Sequence, residues 1–218
     1  MSMEHSKQSD EELVAAWQAG DQRAGATLVS RHYEAIARFF IHRLGAEAED
    51  LVHETFMGFQ RGLDRYRGEC SPRIYLFKIA RYQLLNALRS RARDQERFDP
   101  GVTTMAGLDP SATALLVANE QHKLLVAALR SLPIDVQMML ELHYWEQLKI
   151  QEIAEVLDMN VNNVKSKMKR GRERLQVEMK RLAESPEQLQ TTLHQIGDWV
   201  ADLREKLGES DEIVHPEP

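Results

Sequence analysis

Cysteine is almost absent from this chain of 218 residues, which contains Cys70 and no other. One thiol cannot form an internal disulfide, so we expect a protein of the reducing cytoplasm. The chain also lacks any run of eighteen apolar residues, which excludes a transmembrane helix and predicts no membrane partner. The first ten residues have no apolar segment, so no signal peptide is expected.

The sequence motifs of enzymes and metal sites are missing as well. Eight histidines are scattered along the chain, and none has the spacing to Cys70 that a zinc site requires. There is no phosphate-binding loop, no GxSxG and no HExxH. We therefore predict no metal, no cofactor and no catalytic activity.

Positive charge is scarce overall but is concentrated in two segments. The formal net charge is -6, yet residues 61–97 hold ten basic and four acidic side chains. Residues 162–181 likewise hold eight basic and two acidic side chains. A DNA duplex is a dense line of negative charge, so it attracts a local basic face whatever the total. The two blocks predict nucleic-acid binding, and the alternative is that they are solvated helix faces.

Apolar residues recur with helical spacing almost throughout, and no segment indicates a strand. Capping signals mark two helix starts, Ser9 with Glu12 and Ser71 with Pro72. The pattern predicts helices over residues 23–44, 46–62, 72–93, 113–130, 133–145, 149–157 and 161–183. The predicted fold is all-α, with two small helical domains joined by a flexible linker, a helix-turn-helix in the second domain, and a C-terminal amphipathic helix. The corresponding boundaries are residues 1–97, 98–112, 113–183 and 184–218.

Residues 149–175 contain the strongest local motif, which is typical of a helix-turn-helix. Its first helix places Ile153 and Leu157 on one face, and Asn160 can cap the helix that follows a tight turn. The second helix is expected to bury Val161, Val164, Met168, Gly171 and Leu175. Its other face is polar in the first turn and basic beyond it, which suits base edges and phosphates respectively. The alternative is an ordinary antiparallel helix pair with a basic exterior.

Several segments, taken in order, resemble a known family. Residues 50–56 read DLVHETF, and residues 65–69 read RYRGE. They are followed by YLFKIAR at 75–81, RSRAR at 89–93, Leu132-Pro133, EIAE at 152–155 and VKS at 164–166. This combination is similar to bacterial RNA polymerase sigma factors of the extracytoplasmic-function (ECF) type. The resemblance covers residues 10–182 and implies a protein that binds core RNA polymerase and directs it to promoter DNA.

The resemblance also implies a role for each segment. The core polymerase is bound through Asp50, His53, Glu54 and Gln60. The minus-ten element is bound through Arg67, Glu69, Ser71, Arg73, Arg81, Tyr82, Asn86, Arg89, Arg91 and Arg93. The minus-thirty-five element is bound through Asn163, Lys165, Ser166, Lys167, Lys169, Arg170 and Arg174. An anti-sigma factor or another regulator is a further partner that the resemblance allows.

Helical geometry agrees with part of this assignment. It exposes the polymerase-contacting side chains while Leu51, Val52 and Phe56 point inward, and it favours a core position for Tyr75 and Phe77. The chain departs from the family pattern at several positions: His53 replaces Gln, Pro72 and Ile74 replace Phe and Thr, Tyr75 replaces Trp, Tyr82 and Asn86 replace Asn and Asp, and Asp158 replaces Gly. The departures at Pro72, Tyr82 and Asn86 concern the promoter sequence more than the fold.

The C-terminal segment extends beyond the two-domain pattern. Its apolar residues form a heptad stripe at Leu189, Leu193, Ile196, Val200, Leu203 and Leu207. Such a stripe needs a partner surface, which is the protein's own domains, a second copy or a regulator. Our hypothesis is that this helix docks on one of the sigma domains and tunes its activity; the alternative is that it extends the core of the C-terminal domain.

Two other functions stay open at this point. A stand-alone helix-turn-helix regulator would bind DNA without the polymerase. A sigma-like decoy would bind the polymerase without opening a promoter.

Overall fold

The computed structural model describes residues 7–44, 48–92, 98–108 and 120–183. Within these ranges the chain is helical, and its single β-bridge joins Thr104 to Pro133. The N-terminal half contains α1 (Asp10–Gln18), α2 (Gln22–Leu44), α3 (Ala48–Gly62), a 3-10 turn (Leu63–Arg65) and α4 (Pro72–Arg91). After the short α5 (Met105–Leu108), the C-terminal half contains α6 (Glu120–Arg130), α7 (Ile134–Tyr144), α8 (Ile150–Val156) and α9 (Val161–Leu182).

The N-terminal half packs four helices around an aromatic and aliphatic core. Phe40, Phe59 and Phe77 each have an exposed fraction of 3 % or less, and such rings contribute most to the burial of apolar surface. The predicted caps are present: Ser9 and Glu12 form a reciprocal capping box. Ser71 Oγ accepts from the Ile74 amide at the start of α4. The prediction that Phe77 belongs to the core is confirmed.

The C-terminal half wraps three helices around α9. Val164 and Met168 of α9 are buried against α7 and α8. A small residue at 171 allows α9 to approach α7 closely, because a Cβ atom there would lie 2.4 Å from Val136 Cγ1. Val161 and Leu175, which the pattern assigns to the core, are only partly buried at its edge.

The segment between the halves is bonded to the start of α7. Ile134 donates its amide to the Thr103 carbonyl at 3.0 Å, and Asp135 donates to the Pro100 carbonyl at 3.0 Å. The Asp99 side chain accepts from the Gly101 amide at 2.8 Å. The described part of the predicted linker is therefore held on the C-terminal half, because α7 begins with amides that need acceptors.

Most predicted helix limits agree with the structure within two residues. The predicted helix over 113–130 is described only for Glu120–Arg130. The C-terminal helix and its heptad stripe, together with Arg93, lie outside the described residues. None of the helices within the described ranges is long and apolar enough to cross a membrane.

Candidate nucleic-acid interface

The helix-turn-helix is formed by α8, a three-residue turn and α9. Asn160 Oδ1 accepts from the Asn162 amide at 2.9 Å and caps α9, as predicted. Asp158 has a φ of 51°, in the left-handed region that favours glycine. This conformation explains why glycine is the usual residue at the position, and aspartate is among the few side chains that adopt it without large strain.

The outer face of α9 exposes six of the seven residues predicted to contact the minus-thirty-five element. The exposed side chains are Asn163, Lys165, Ser166, Lys169, Arg170 and Arg174. Asn162, two residues after the cap, is also exposed in the first turn and is not among the predicted contacts. These side chains combine polar groups at the N-terminal end of the helix with cations further along, as base reading and phosphate binding require.

Lys167 is the exception: it is partly buried, and its assignment to the minus-thirty-five element stays a prediction. Its Nζ atom lies 3.4 Å from Asp135 Oδ2, and the Asp135 side chain is buried at the start of α7. A cation that neutralises a buried carboxylate is held by that partner, since leaving the carboxylate unpaired would be unfavourable. Lys167 therefore joins α9 to α7 within the C-terminal half.

The second candidate surface is formed by α4 and the loop before it. Of the residues predicted to contact the minus-ten element, Arg67, Glu69, Ser71, Tyr82 and Arg89 are exposed, whereas Arg73, Arg81, Asn86 and Arg91 are partly buried. Tyr82 has 65 % of its surface exposed, which is unusual for an aromatic side chain and leaves its ring face open to a base.

Hydrogen bonds hold the loop before α4 in place. The Tyr66 hydroxyl donates to the Cys70 carbonyl. Burial raises the pKa of Tyr66 to about 12, so the hydroxyl keeps its proton and remains a donor. Gln18 of α1 donates to the carbonyls of Leu63 and Tyr66. This loop is therefore fixed to the N-terminal core while Arg67 and Glu69 remain exposed.

A third surface lies on α3, where all four residues predicted to contact the polymerase are exposed: Asp50, His53, Glu54 and Gln60. Val52 and Phe59 are buried on the other side of the helix. Phe56, expected to point inward, packs against the edge of the core but is only partly buried, and its ring stacks on that of Tyr33 with 6.4 Å between the ring centroids. Tyr33 belongs to α2 and is 47 % exposed, so it extends this surface in a way that the local pattern did not reveal.

A metal centre has no counterpart in the part of the chain that the structure describes. No group of three or more His, Cys, Asp or Glu side chains there is arranged to hold an ion.

Comparison with known proteins identifies the family. The family "Sigma-70 region 2" matches residues 28–94, and "Sigma-70, region 4" matches residues 122–175. The ECF RNA polymerase sigma-E factor of Haemophilus influenzae is 28% identical over 179 residues, covering 77% of this chain and 94% of the relative. The sigma-E factor of Escherichia coli K12 is 28% identical over 176 residues, covering 76% and 91%.

Two solved structures share the fold. The complex of CnrH with the cytosolic domain of CnrY aligns with a TM-score of 0.58 at 22% identity, covering 80% of this chain and 99% of that one. The sigma factor RpoE bound to the anti-sigma factor NepR from Bartonella quintana aligns with a TM-score of 0.55 at 22% identity, covering 70% and 94%.

The two family matches together span more than half of the chain, so the protein belongs to the sigma-70 family. It is a sigma factor of the ECF type, the class that directs RNA polymerase to initiate transcription at particular promoters.

Proposed function

We propose that each of the three surfaces described above binds a different partner of this sigma factor. The α3 surface binds core RNA polymerase, the α4 surface meets the minus-ten element, and the outer face of α9 reads the minus-thirty-five element. Residues 1–97 and 113–183 are then the two functional domains. The protein contributes no catalytic step of its own and acts in the cytoplasm, where the polymerase transcribes.

The exposed face of α9 is the observation that carries the proposal. Asn163 and Ser166 lie in its first turns, where a recognition helix meets base edges in the major groove. Arg170 and Arg174 follow on the same face, where they reach phosphates or guanine. A good bidentate contact to a base discriminates by about 1–3 kcal/mol, so two or three such contacts are sufficient for a promoter preference.

The α4 surface suits a strand that has been separated from its complement. Tyr82 offers an open ring face, and stacking of one base on an aromatic ring contributes about 1–3 kcal/mol. Arg67, in the loop before α4, and Arg89, about two turns after Tyr82 on α4, are exposed and supply the positive charge that a single strand requires. Ser71 caps α4 with its hydroxyl, so its first role here is to position the helix start.

The α3 surface suits a protein partner with basic side chains. Asp50 and Glu54 are one helical turn apart and both exposed. Glu54 lies 3.1 Å from Arg61, but both side chains are exposed, and such a pair contributes less than about 1 kcal/mol. A stronger partner can therefore replace it at little cost. The stacked rings of Tyr33 and Phe56 add apolar area beside the acidic groups.

The test is reconstitution with core RNA polymerase, followed by run-off transcription from a library of promoter fragments. The unaltered chain should bind the core and initiate from a defined subset of fragments. The double variant D50K/E54K should lose core binding by at least tenfold, because two attractive charges become repulsive. The matched control E11K changes an exposed carboxylate of α1 and should bind normally.

Variants of α9 separate promoter reading from polymerase binding. N163A and R170A should bind the core as the unaltered protein does, but should lose preference among minus-thirty-five sequences. Failure of the folded, unaltered chain to bind the core would refute the proposal and favour a stand-alone DNA-binding regulator. Core binding without initiation at any fragment would favour the decoy.

We further propose a regulatory protein partner of the anti-sigma kind. In the two solved structures named above, RpoE is bound to the anti-sigma factor NepR, and CnrH is in complex with the cytosolic domain of CnrY. Affinity capture from cells at native expression level, with the D50K/E54K variant to remove the polymerase, should retain one small protein in stoichiometric amount. Absence of any stoichiometric protein would contradict this partner.

A further inference from the structure

Three asparagines lie at the start of α9, and their side chains have different surroundings. Asn160 precedes the helix, and its side-chain oxygen accepts from the Asn162 amide at 2.9 Å. Asn162 and Asn163 are both exposed. Among the residues that the structure describes, neither of these two side chains has a hydrogen-bond partner. The helix-turn-helix therefore presents two unbonded carboxamides to solvent at the start of its second helix.

Asn162 and Asn163 lie on opposite sides of Ser166. Val164 and Met168 are buried on the inner side of α9, and Ser166 lies directly opposite them, at the centre of the outer face. At about 3.6 residues per turn, Asn162 is about 40° from Ser166 around the helix axis, and Asn163 is about 60° away in the other direction. Asn162 is therefore as close to the centre of the outer face as Asn163, which is already assigned to the minus-thirty-five element.

Cations flank this polar strip, which consists of Asn162, Asn163 and Ser166. The exposed cations are Lys165, Lys169, Arg170 and Arg174. By the same helical spacing, the two lysines lie on the Asn162 side and the two arginines on the Asn163 side. A helix in the major groove lies between two rows of phosphates, so cations at its flanks meet phosphates while the strip between them meets base edges.

The outer face changes its character beyond the polar strip. Val177 follows Ser166 by about three turns on nearly the same line along the helix, and it is 61% exposed. Glu173 is exposed between them. An apolar side chain and a carboxylate do not attract phosphates. Base reading by α9 is therefore confined to its first turns, where the two free carboxamides lie.

The chemistry of a carboxamide matches one base in particular. The side chain of asparagine carries an amino group that donates and an oxygen that accepts. In the major groove adenine presents its N7 acceptor beside its N6 donor, whereas guanine presents two acceptors there. Cytosine and thymine each present a single hydrogen-bonding group in this groove. A carboxamide therefore forms two hydrogen bonds with adenine and fewer with the other bases.

We propose that Asn162 is a further specificity-determining residue of this sigma factor and selects an adenine in the minus-thirty-five element. Its side-chain amino group donates to N7 of the base, and its oxygen accepts from the N6 amino group. This inference rests on the proposed assignment of α9 to that element, to which it adds a residue and a base.

Asn162 can be changed without disturbing the fold, because its side chain is exposed and only its backbone amide takes part in the cap. N162A removes both hydrogen-bonding groups of the side chain. N162D keeps the size of the side chain but leaves only acceptors, which suit the amino group of cytosine. The matched control Q176A removes the same carboxamide from an exposed position of α9 that lies about 21 Å further along the helix axis.

The experiment selects DNA with the full-length chain bound to core polymerase. Duplex fragments that are random throughout the minus-thirty-five element are captured and sequenced. The unaltered chain should require adenine at one position. In N162A the ratio of adenine to the other bases at that position should fall by at least about fivefold, while preferences at the other positions remain. N162D should shift the same position toward cytosine, and Q176A should select the same sequences as the unaltered chain.

An altered base tests whether the contact is direct. 7-Deazaadenine has a C–H group in place of N7 and keeps its base pairing, so it deletes one of the two hydrogen bonds from the DNA side. At the selected position it should weaken binding of the unaltered chain with core polymerase by about two- to tenfold. The same replacement should leave the binding of N162A unchanged.

Four results would overturn the role of Asn162. They are an unchanged preference in N162A, an equal loss of preference at every position, a relaxed position that prefers a base other than adenine, and an equal effect of 7-deazaadenine on both proteins. Failure of the chain to bind the core would instead overturn the proposed function. Selection with the chain alone would then still measure the base preference of Asn162, so the two proposals fail by different measurements.

Discussion

Replacement of Gly171 by alanine tests the close approach of α9 to α7. An added Cβ would lie 2.4 Å from Val136 Cγ1, far inside van der Waals contact. Forcing a methyl group into a packed core costs about 1–3 kcal/mol. Alanine in place of a helical glycine gains about 0.5–1 kcal/mol from the backbone. We therefore expect G171A to lower the free energy of unfolding by about 1–2 kcal/mol.

The sign of this effect should reverse when Val136 is shortened. V136A removes Cγ1, and the nearest remaining atoms, Val136 Cβ at 3.8 Å and Leu140 Cδ1 at 3.9 Å, make ordinary contacts. V136A alone should destabilise the protein by about 2 kcal/mol, because it deletes buried methyl groups. In the V136A background, G171A should then raise the free energy of unfolding by about 0.5–1 kcal/mol, since only the backbone gain remains.

Urea unfolding of the unaltered chain, G171A, V136A and the double variant, followed by circular dichroism, measures both effects. Non-additivity of about 2 kcal/mol between the two sites is the expected signature of a direct contact. G58A serves as a comparison in α3, where the added Cβ would lie 3.0 Å from Ile79 Cγ2 and should be tolerated better. Additive effects, or a stabilising G171A in the unaltered background, would refute the packing argument.

Two further predictions concern charged side chains. R170M should weaken binding to a minus-thirty-five fragment and reduce the slope of log binding constant against log salt concentration by about one unit. K167M should leave both the affinity and the slope near normal, because Lys167 pairs with Asp135. Fluorescence anisotropy at several salt concentrations measures both quantities, and equal losses of affinity in the two variants would contradict the pairing. Burial raises the pKa of Glu141 from 4.5 to about 7, an effect that Arg43 offsets only in part. Between these pH values the folded chain holds a proton that the unfolded chain lacks, so this group's contribution to the free energy of unfolding falls as pH rises through the window and levels off above it. Measured by urea unfolding from pH 5 to pH 8, the free energy of unfolding should depend less on pH in E141Q than in the unaltered chain. Parallel pH profiles for the two proteins would contradict a buried, proton-binding carboxyl.

The helices of this protein could be predicted from the sequence because their signals are local. Apolar spacing, the Ser9 capping box and the cap at Asn160 all act within a few residues, and the structure contains each of them. The exposed face of α9 follows from the same periodicity, since side chains opposite a buried stripe point to solvent. The order of the motifs was also sufficient to indicate the family.

Lys167 shows what local reasoning leaves out. It lies on the basic block of α9, and by composition it is one cation among several. Its pairing depends on Asp135, which is 32 residues away along the chain and buried at the start of another helix. Phe56 is a similar case, because whether its ring is fully buried or partly exposed beside Tyr33 depends on how α3 packs on α2.

The sequence alone determined the helices, the two basic blocks and the chain's place among sigma factors, because these depend on neighbouring residues or on motif order. Only the tertiary structure decided which charges are exposed and which are paired inside the protein. Arg73 and Glu146 are 73 residues apart and meet only when the halves pack. An ion pair is specified by distance in space, and helical periodicity carries no information about which distant helix will approach.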